Sequence, residues 1–236
     1  MVGGSRRPDG AEDQDRVNRR LVVWALVLFG LVCCLAQPTR AASDAGRDLR
    51  LELALIAADA RSLADPATPP RRKEGLSERI RSSLGSLAIT ARYAAQWGAA
   101  SDPQLREAIG DLRARFESGD RPGFAQAAAK VSAAHPVDLR YFLPLRIGAA
   151  RVHAGRTTYE RFCIGCHASP DARAANPAPD LFRMARTAAP DELIVRLLAG
   201  IHGDRMTSLE NPFSDEEIAS LAAYFTAAAS DAARIR

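Results

Sequence analysis

Cysteine is scarce in this chain and unevenly placed, with four among 236 residues. Cys33 and Cys34 lie in an apolar run near the start, and Cys163 and Cys166 lie far along the chain. A structural zinc site needs about four ligands, and the early pair could not reach the later one. β-branched residues are sparse beside abundant alanine, which favours helix over sheet. A redox CxxC normally opens a helix in a βαβ setting, and this helical, β-poor chain does not offer one. Lysine is nearly absent and the positive side chains are almost all arginine, but the net charge is only +4. That small excess is spread along the chain, so no region reads as a nucleic-acid footprint. No catalytic triad, paired carboxylates, phosphate loop or second metal motif is present, and no internal repeat or low-complexity segment. The expectation is therefore a protein that is not an enzyme.

What the chain does have begins with an unbroken apolar run of sixteen residues, Leu21 to Ala36, led by Asn18-Arg19-Arg20. As a helix it would span roughly 24 Å at about 1.5 Å per residue, short of the roughly 30 Å hydrocarbon core. The length and basic lead suit an export signal ending at Ala36 or Ala41. The long polar lead, residues 1–20, also suits an uncleaved anchor with snorkelling flanks, the second of the two readings. Either way the body is expected outside the cytoplasm. Cys33 and Cys34 read as small apolar residues, since Leu31, Val32 and Cys33 make a poor lipobox for Cys34. Arg6-Arg7 is followed by Pro8-Asp9 and matches a twin-arginine signal weakly.

From residue 47 onward helical periods dominate. Leu49, Leu53, Ile56, Ala60 and Leu63 form one amphipathic stripe. The proline-rich segment Asp65–Gly75 predicts a break, and a second helix is expected from about Ser77 through Ile80, Leu84, Leu87 and Ala91. Asp102-Pro103 opens a third, with Leu105, Ile109, Leu112 and Phe116. Ser118-Gly119-Asp120 closes it, and Pro122 opens a fourth through Phe124, Ala128 and Val131. Four antiparallel helices make a small bundle within 41–135, following a lead and signal or anchor over 1–40. Its leucine stripes read as core, and His135 as a solvated loop residue. Residues 136–148 read as a packed connector. Farther on, helices are predicted over about 147–164 and from Ala189-Pro190 to near Gly200. Ser214-x-x-Glu217 is a capping box that opens a last helix through Ile218, Leu221, Ala222 and Phe225.

The most informative stretch is Tyr159-Glu-Arg-Phe-Cys-Ile-Gly-Cys-His167. With zinc and a redox dithiol poorly supported, covalent haem remains as the reading of Cys163-x-x-Cys166-His167. Two thiols one helical turn apart can each add to a vinyl group on the same porphyrin edge. The next residue then falls beneath the plane, where an imidazole can bind iron.

The flanks of this motif agree. Gly155, Tyr159, Cys163, Cys166 and His167, then Ala178-Pro179-Asp180-Leu181, then Met206 ahead of a capped final helix bearing Leu221 and Tyr224, stand in the order found in class I cytochromes c. Residues 149–236 resemble such a domain. The resemblance implies a C-terminal class I cytochrome c fold, which with the signal or anchor segment and the small helical bundle read above makes an all-α chain in three parts. It implies one haem c with its iron, held by thioethers from Cys163 and Cys166. His167 would be the proximal ligand, its ring N–H bonded to the Pro179 carbonyl, and Leu181 would wall the haem. Gly155 and Tyr159 would pack against the final helix. Met206 would be the distal ligand, although Thr207 follows it where the family usually has proline. His202 is the competing ligand, an open sixth position the third option, and Met184 reads as packing. His153 reads as surface.

A His/Met haem has a raised potential and filled axial positions. The implied function is single-electron transfer between a redox donor and acceptor that dock transiently at the haem edge. The expected location is the periplasm, or the inner membrane facing it, with the membrane itself a partner if the apolar run is retained. Two alternatives stay open. One is a haem enzyme or gas or redox sensor with a labile Met206. The other is a permanent haem subunit of a membrane dehydrogenase or oxidase complex.

Overall fold

The computed structural model describes residues 37–96, 102–169, 173, 177–202, 208–209 and 212–234. Among these the chain is helical apart from one two-residue antiparallel pair. The apolar run 21–36 and the signal-or-anchor expectation fall outside the described residues. No described helix is long and apolar enough to cross a membrane.

Helix α1, Gln37–Ala64, carries the predicted stripe, and Leu49, Leu53, Ile56, Ala60 and Leu63 are all buried. It also buries Leu51 and Leu55 in a separate core. These two lie four apart, on a face that the main stripe does not cover. Helix α2, Pro70–Gln96, begins well before the expected Ser77. The break is confined to Asp65–Pro69, where the Asp65 carboxylate accepts from the Ala67 amide at 2.8 Å and the Lys73 amide already bonds to the Pro69 carbonyl. Proline at a first helical position starts a helix instead of breaking it, and Gly75 is buried inside α2.

Helix α3, Pro103–Ser118, is capped by Asp102, whose side chain accepts from the Gln104 amide at 2.9 Å. It stops at Gly119, which takes the left-handed φ of 78° that favours glycine. Helix α4, Arg121–Ala134, is capped by Asp120 through the Gly123 amide. Helix α1 packs against α2 and α4, and α3 closes the bundle against both of those. Phe116 and Phe124 meet edge to face at 5.3 Å between centroids in its core. His135 is not a merely solvated loop residue: it caps α4, is half-buried, and its Nε2 stands 3.5 Å from the Asp102 carboxylate.

In the segment 136–148 Phe142 is buried, and Val137, Leu139, Leu143 and Leu145 pack against the second core. That core belongs to α5 (Ala149–Phe162), α6 (Ile164–His167), α7 (Leu181–Thr187), α8 (Pro190–Ala199) and α9 (Asp215–Arg234). Helix α7 was not expected, because seven residues are too short to display a helical period. The capping box forms: the Ser214 amide donates to Glu217 Oε2 at 2.8 Å and the Glu217 amide donates to Ser214 Oγ at 3.3 Å. Between α8 and α9, strands β1 (Ile201–His202) and β2 (Ser208–Leu209) pair, Ile201 with Leu209 and His202 with Ser208.

Candidate functional site

Helix α5 is set against α9 by a contact that only glycine allows. A Cβ on Gly155 would lie 2.0 Å from the Ser220 carbonyl oxygen and 2.9 Å from Tyr224 Cβ. One turn further, Tyr159 is buried in an aromatic cluster, with ring centroids 5.3 Å from Phe182, 5.6 Å from Phe225 and 5.8 Å from Tyr224. Phe182 stands on the unexpected α7, so sequence reasoning missed it. The capping aspartate ahead of α7 was the available clue. Leu221 is fully buried in the same core.

With α5 anchored, the chain past it is placed. Helix α5 ends at Phe162 with Cys163 as its C-cap, and a fresh turn follows at once, with the Cys166 and His167 amides both bonding to the Cys163 carbonyl at 3.2 and 3.0 Å. Cys163 and Cys166 are therefore one turn apart, and both are free thiols. Cys163 is half-buried and Cys166 exposed. Burial, and then the neighbouring Cys166, push the Cys163 thiol above its ordinary pKa. A reactive dithiol needs the opposite shift. Phe162 and Ile164 beside them are exposed by 56% and 43%, an apolar rim. Phe162 is braced by Phe213 at 5.5 Å and by the Arg161 guanidinium at 4.9 Å from its ring centroid.

The ring of His167 is oriented from the other side of the site. Its Nδ1 donates to the Pro179 carbonyl at 2.6 Å. That carbonyl is available because α7 begins just beyond it. Asp180 is the N-cap, its side chain accepting from the Arg183 amide at 3.0 Å and its own carbonyl from Met184. A proton on Nδ1 leaves Nε2 as an unprotonated lone pair, the form that binds a metal. Leu181 is buried next to this turn. Met184 is half-buried on α7 and His153 is exposed on α5. His202 contributes its backbone to β1. Met206 lies outside the described residues. Among the described residues no cluster of three metal-ligating side chains occurs.

Behind the site, the bundle is joined to these helices by charge as well as by Leu51 and Leu55. Asp59 on α1, almost fully buried, accepts from Arg79 on α2 and from Arg196 on α8 at 3.1 Å. Arg196 also pairs with Glu192 at 2.9 Å, and Glu192 with Arg61. Burial works against the charge of Arg196, but Asp59 and Glu192 together outweigh it and raise its pKa. Arg47 and Asp215 pair at 2.7 Å. Arg71 donates to the Arg173 carbonyl, and Arg72 to the Pro177 carbonyl at 3.4 Å, two residues before Pro179. None of these partners was foreseen, since nothing local in the sequence pairs positions so far apart.

Two thiols on one turn, an imidazole committed at Nδ1 and a helix pair in glycine-tight contact are what the resemblance to class I cytochromes c implies for this region. Residues 150–225 match the family model described as cytochrome C oxidase, cbb3-type, subunit III. The C-terminal part of the chain is thus a class I c-type cytochrome domain. No curated protein and no solved structure matches the chain. A domain of this class carries covalently bound haem and serves electron transfer. The donor set here fits that group: reduced cysteines in the attachment spacing, and an imidazole tautomer with its metal-binding nitrogen uncommitted.

Proposed function

We propose that the protein is a monohaem c-type cytochrome that passes single electrons between a donor and an acceptor protein on the periplasmic side of the inner membrane. Cys163 and Cys166 supply the thioether sulfurs, His167 Nε2 the proximal iron ligand and Met206 the distal one. Pro179 and Leu181 shape the pocket. The bound group supplies a one-electron iron couple whose potential His/Met ligation raises. The Pro179 carbonyl holds the His167 ring in one tautomer and strengthens it as a donor. Phe162 and Ile164 offer a partner a small apolar contact beside the cysteines, the scale suited to transient redox pairs. The 2.6 Å bond from His167 to Pro179 carries this reading, because it prepares Nε2 for iron next to two free cysteines.

A second reading follows from the matched family, which is named for an oxidase subunit. The protein would then sit permanently in a membrane redox complex, with residues 21–36 as its anchor and the bundle as its assembly surface.

The test is the purified, fully denatured protein. Haem absorbance should persist through acid–acetone washing in the native sequence and vanish in Cys163→Ala/Cys166→Ala; a colourless native chain overturns the proposal. Met206→Ala should keep the haem but lose the weak far-red band of methionine–iron bonding and lower the potential. Fast binding of carbon monoxide by the unaltered protein, with that band missing, would indicate the enzyme or sensor alternative. Release from membranes only by detergent, together with a stoichiometric partner, would select the complex subunit.

A further inference from the structure

A groove of about 500 Å³ opens between α2 and the corner where α3 turns into α4. Arg81, Arg113 and Arg121 line it together, over a floor that includes Leu84, Gly85 and Phe116, with Glu117 as the one carboxylate in its lining. None of these residues belongs to the CxxCH site or to the core around it.

The three cations are gathered by acceptors that leave most of their charge unneutralised. Arg113 Nε and Nη2 both donate to the Leu84 carbonyl, at 3.0 and 2.5 Å, and Nη2 reaches the Gly85 carbonyl at 3.4 Å. Among the described residues its two Nη1 donors have no acceptor. Arg121 lies over the Phe116 ring at 4.7 Å and donates to the Phe116 carbonyl at 3.2 Å. Arg81 approaches the same ring at 5.8 Å and is the only one of the three with a carboxylate partner among the described residues, the exposed Glu78. Holding three like charges in one groove is unfavourable until an anion enters it. Arg121 uses only Nη1 on the Phe116 carbonyl. That leaves its Nε and Nη2 edge, the geometry that binds a carboxylate in bidentate fashion, while Arg113 offers Nη1 alone.

We propose that this groove docks an acidic segment of a partner protein, with carboxylates on Arg113 and Arg121. The occupant sits on the bundle and leaves the face around Cys163 and Cys166 clear. The proposal does not depend on how the haem is ligated.

The probe is a fluorescein-labelled peptide of three glutamates, one leucine and three glutamates, titrated by anisotropy against the full haem-loaded chain. Arg113→Gln/Arg121→Gln should weaken binding about tenfold or more. The charge-matched control Arg92→Gln/Arg106→Gln should change it less than about twofold. Because Arg113 bridges two helices, its removal could unfold the bundle, so Glu117→Gln gives an independent reading. It should tighten binding about twofold to fivefold. Equal weakening by the control pair, equal binding of a glutamine version of the peptide, or no tightening in Glu117→Gln would each overturn the proposal. So would phosphatidylglycerol vesicles or inorganic phosphate binding through Arg113 and Arg121 while the peptide does not.

Discussion

Asp59 of α1 and Arg196 of α8 are 137 positions apart in the chain and meet at 3.1 Å. Asp59 is 2% exposed and also accepts both nitrogens of the Arg79 fork. One carboxylate thus ties two helices of the bundle to a helix of the cytochrome domain. Replacing it by alanine removes the buried acceptor that Arg79 and Arg196 share, a loss of about 3–5 kcal/mol for a broken buried pair. Urea denaturation of Asp59→Ala should show a fall of that size, while Glu160→Ala, which breaks the exposed pair with Arg156, should stay within about 1 kcal/mol of the parent. Similar behaviour of the two variants would mean the network holds nothing together.

Glycine is required at position 155 for space, not for backbone freedom. Gly155→Ala drives a methyl group into the Ser220 carbonyl, and overpacking of this kind costs about 1–3 kcal/mol. Gly110→Ala makes the contrast, because a Cβ there meets nothing within 4 Å in the middle of α3. It should stabilise by about 0.5–1 kcal/mol through helix propensity. Thermal unfolding followed by circular dichroism should move in opposite directions for the two.

Because α1 lends Ile56 to one core and Leu55 to the other, the two cores should melt together. Leu55→Ala and Ile56→Ala should each cost about 2–5 kcal/mol. In both variants the haem band and the far-ultraviolet helix signal should trace one coincident transition. Separate transitions would show that α1 does not couple the bundle to the cytochrome domain.

The start of α9 is sensitive to acid. Glu216 accepts from Arg151 and from the Tyr141 hydroxyl, which lower its pKa below the ordinary 4.5. A lowered folded value means the contribution is complete above pH 4.5 and lost as pH falls through the folded pKa. The effect is small, since all three groups face solvent. The urea midpoint should therefore fall as the solution is acidified below pH 4.5, and Arg151→Gln should flatten that part of the profile. An unchanged slope in the variant would remove the pair as its cause.

Much of the bundle could be read in advance from residues that act within a turn of themselves. Asp102, Gly119 and Ser214 cap or stop helices through bonds that reach two to four residues, and the stripe from Leu105 to Phe116 buries just as its period requires. The proline-rich stretch from Asp65 was less legible, because a proline that ends one helix is chemically the same as one that begins the next. Helix α7 was hidden by its length.

The same division separates what the sequence alone determined from what the tertiary structure decided. Sequence determined the CxxCH turn, the helix stripes and the caps, because thiol spacing, helical period and capping bonds depend on neighbours along the chain. Docking decided that Leu51 and Leu55 are buried, that Asp59 finds Arg196, that Gly155 meets Ser220 and that His167 spends its Nδ1 proton on Pro179. These contacts join side chains and carbonyls from different elements. Their energies exist only once burial of two cores has brought the helices into contact.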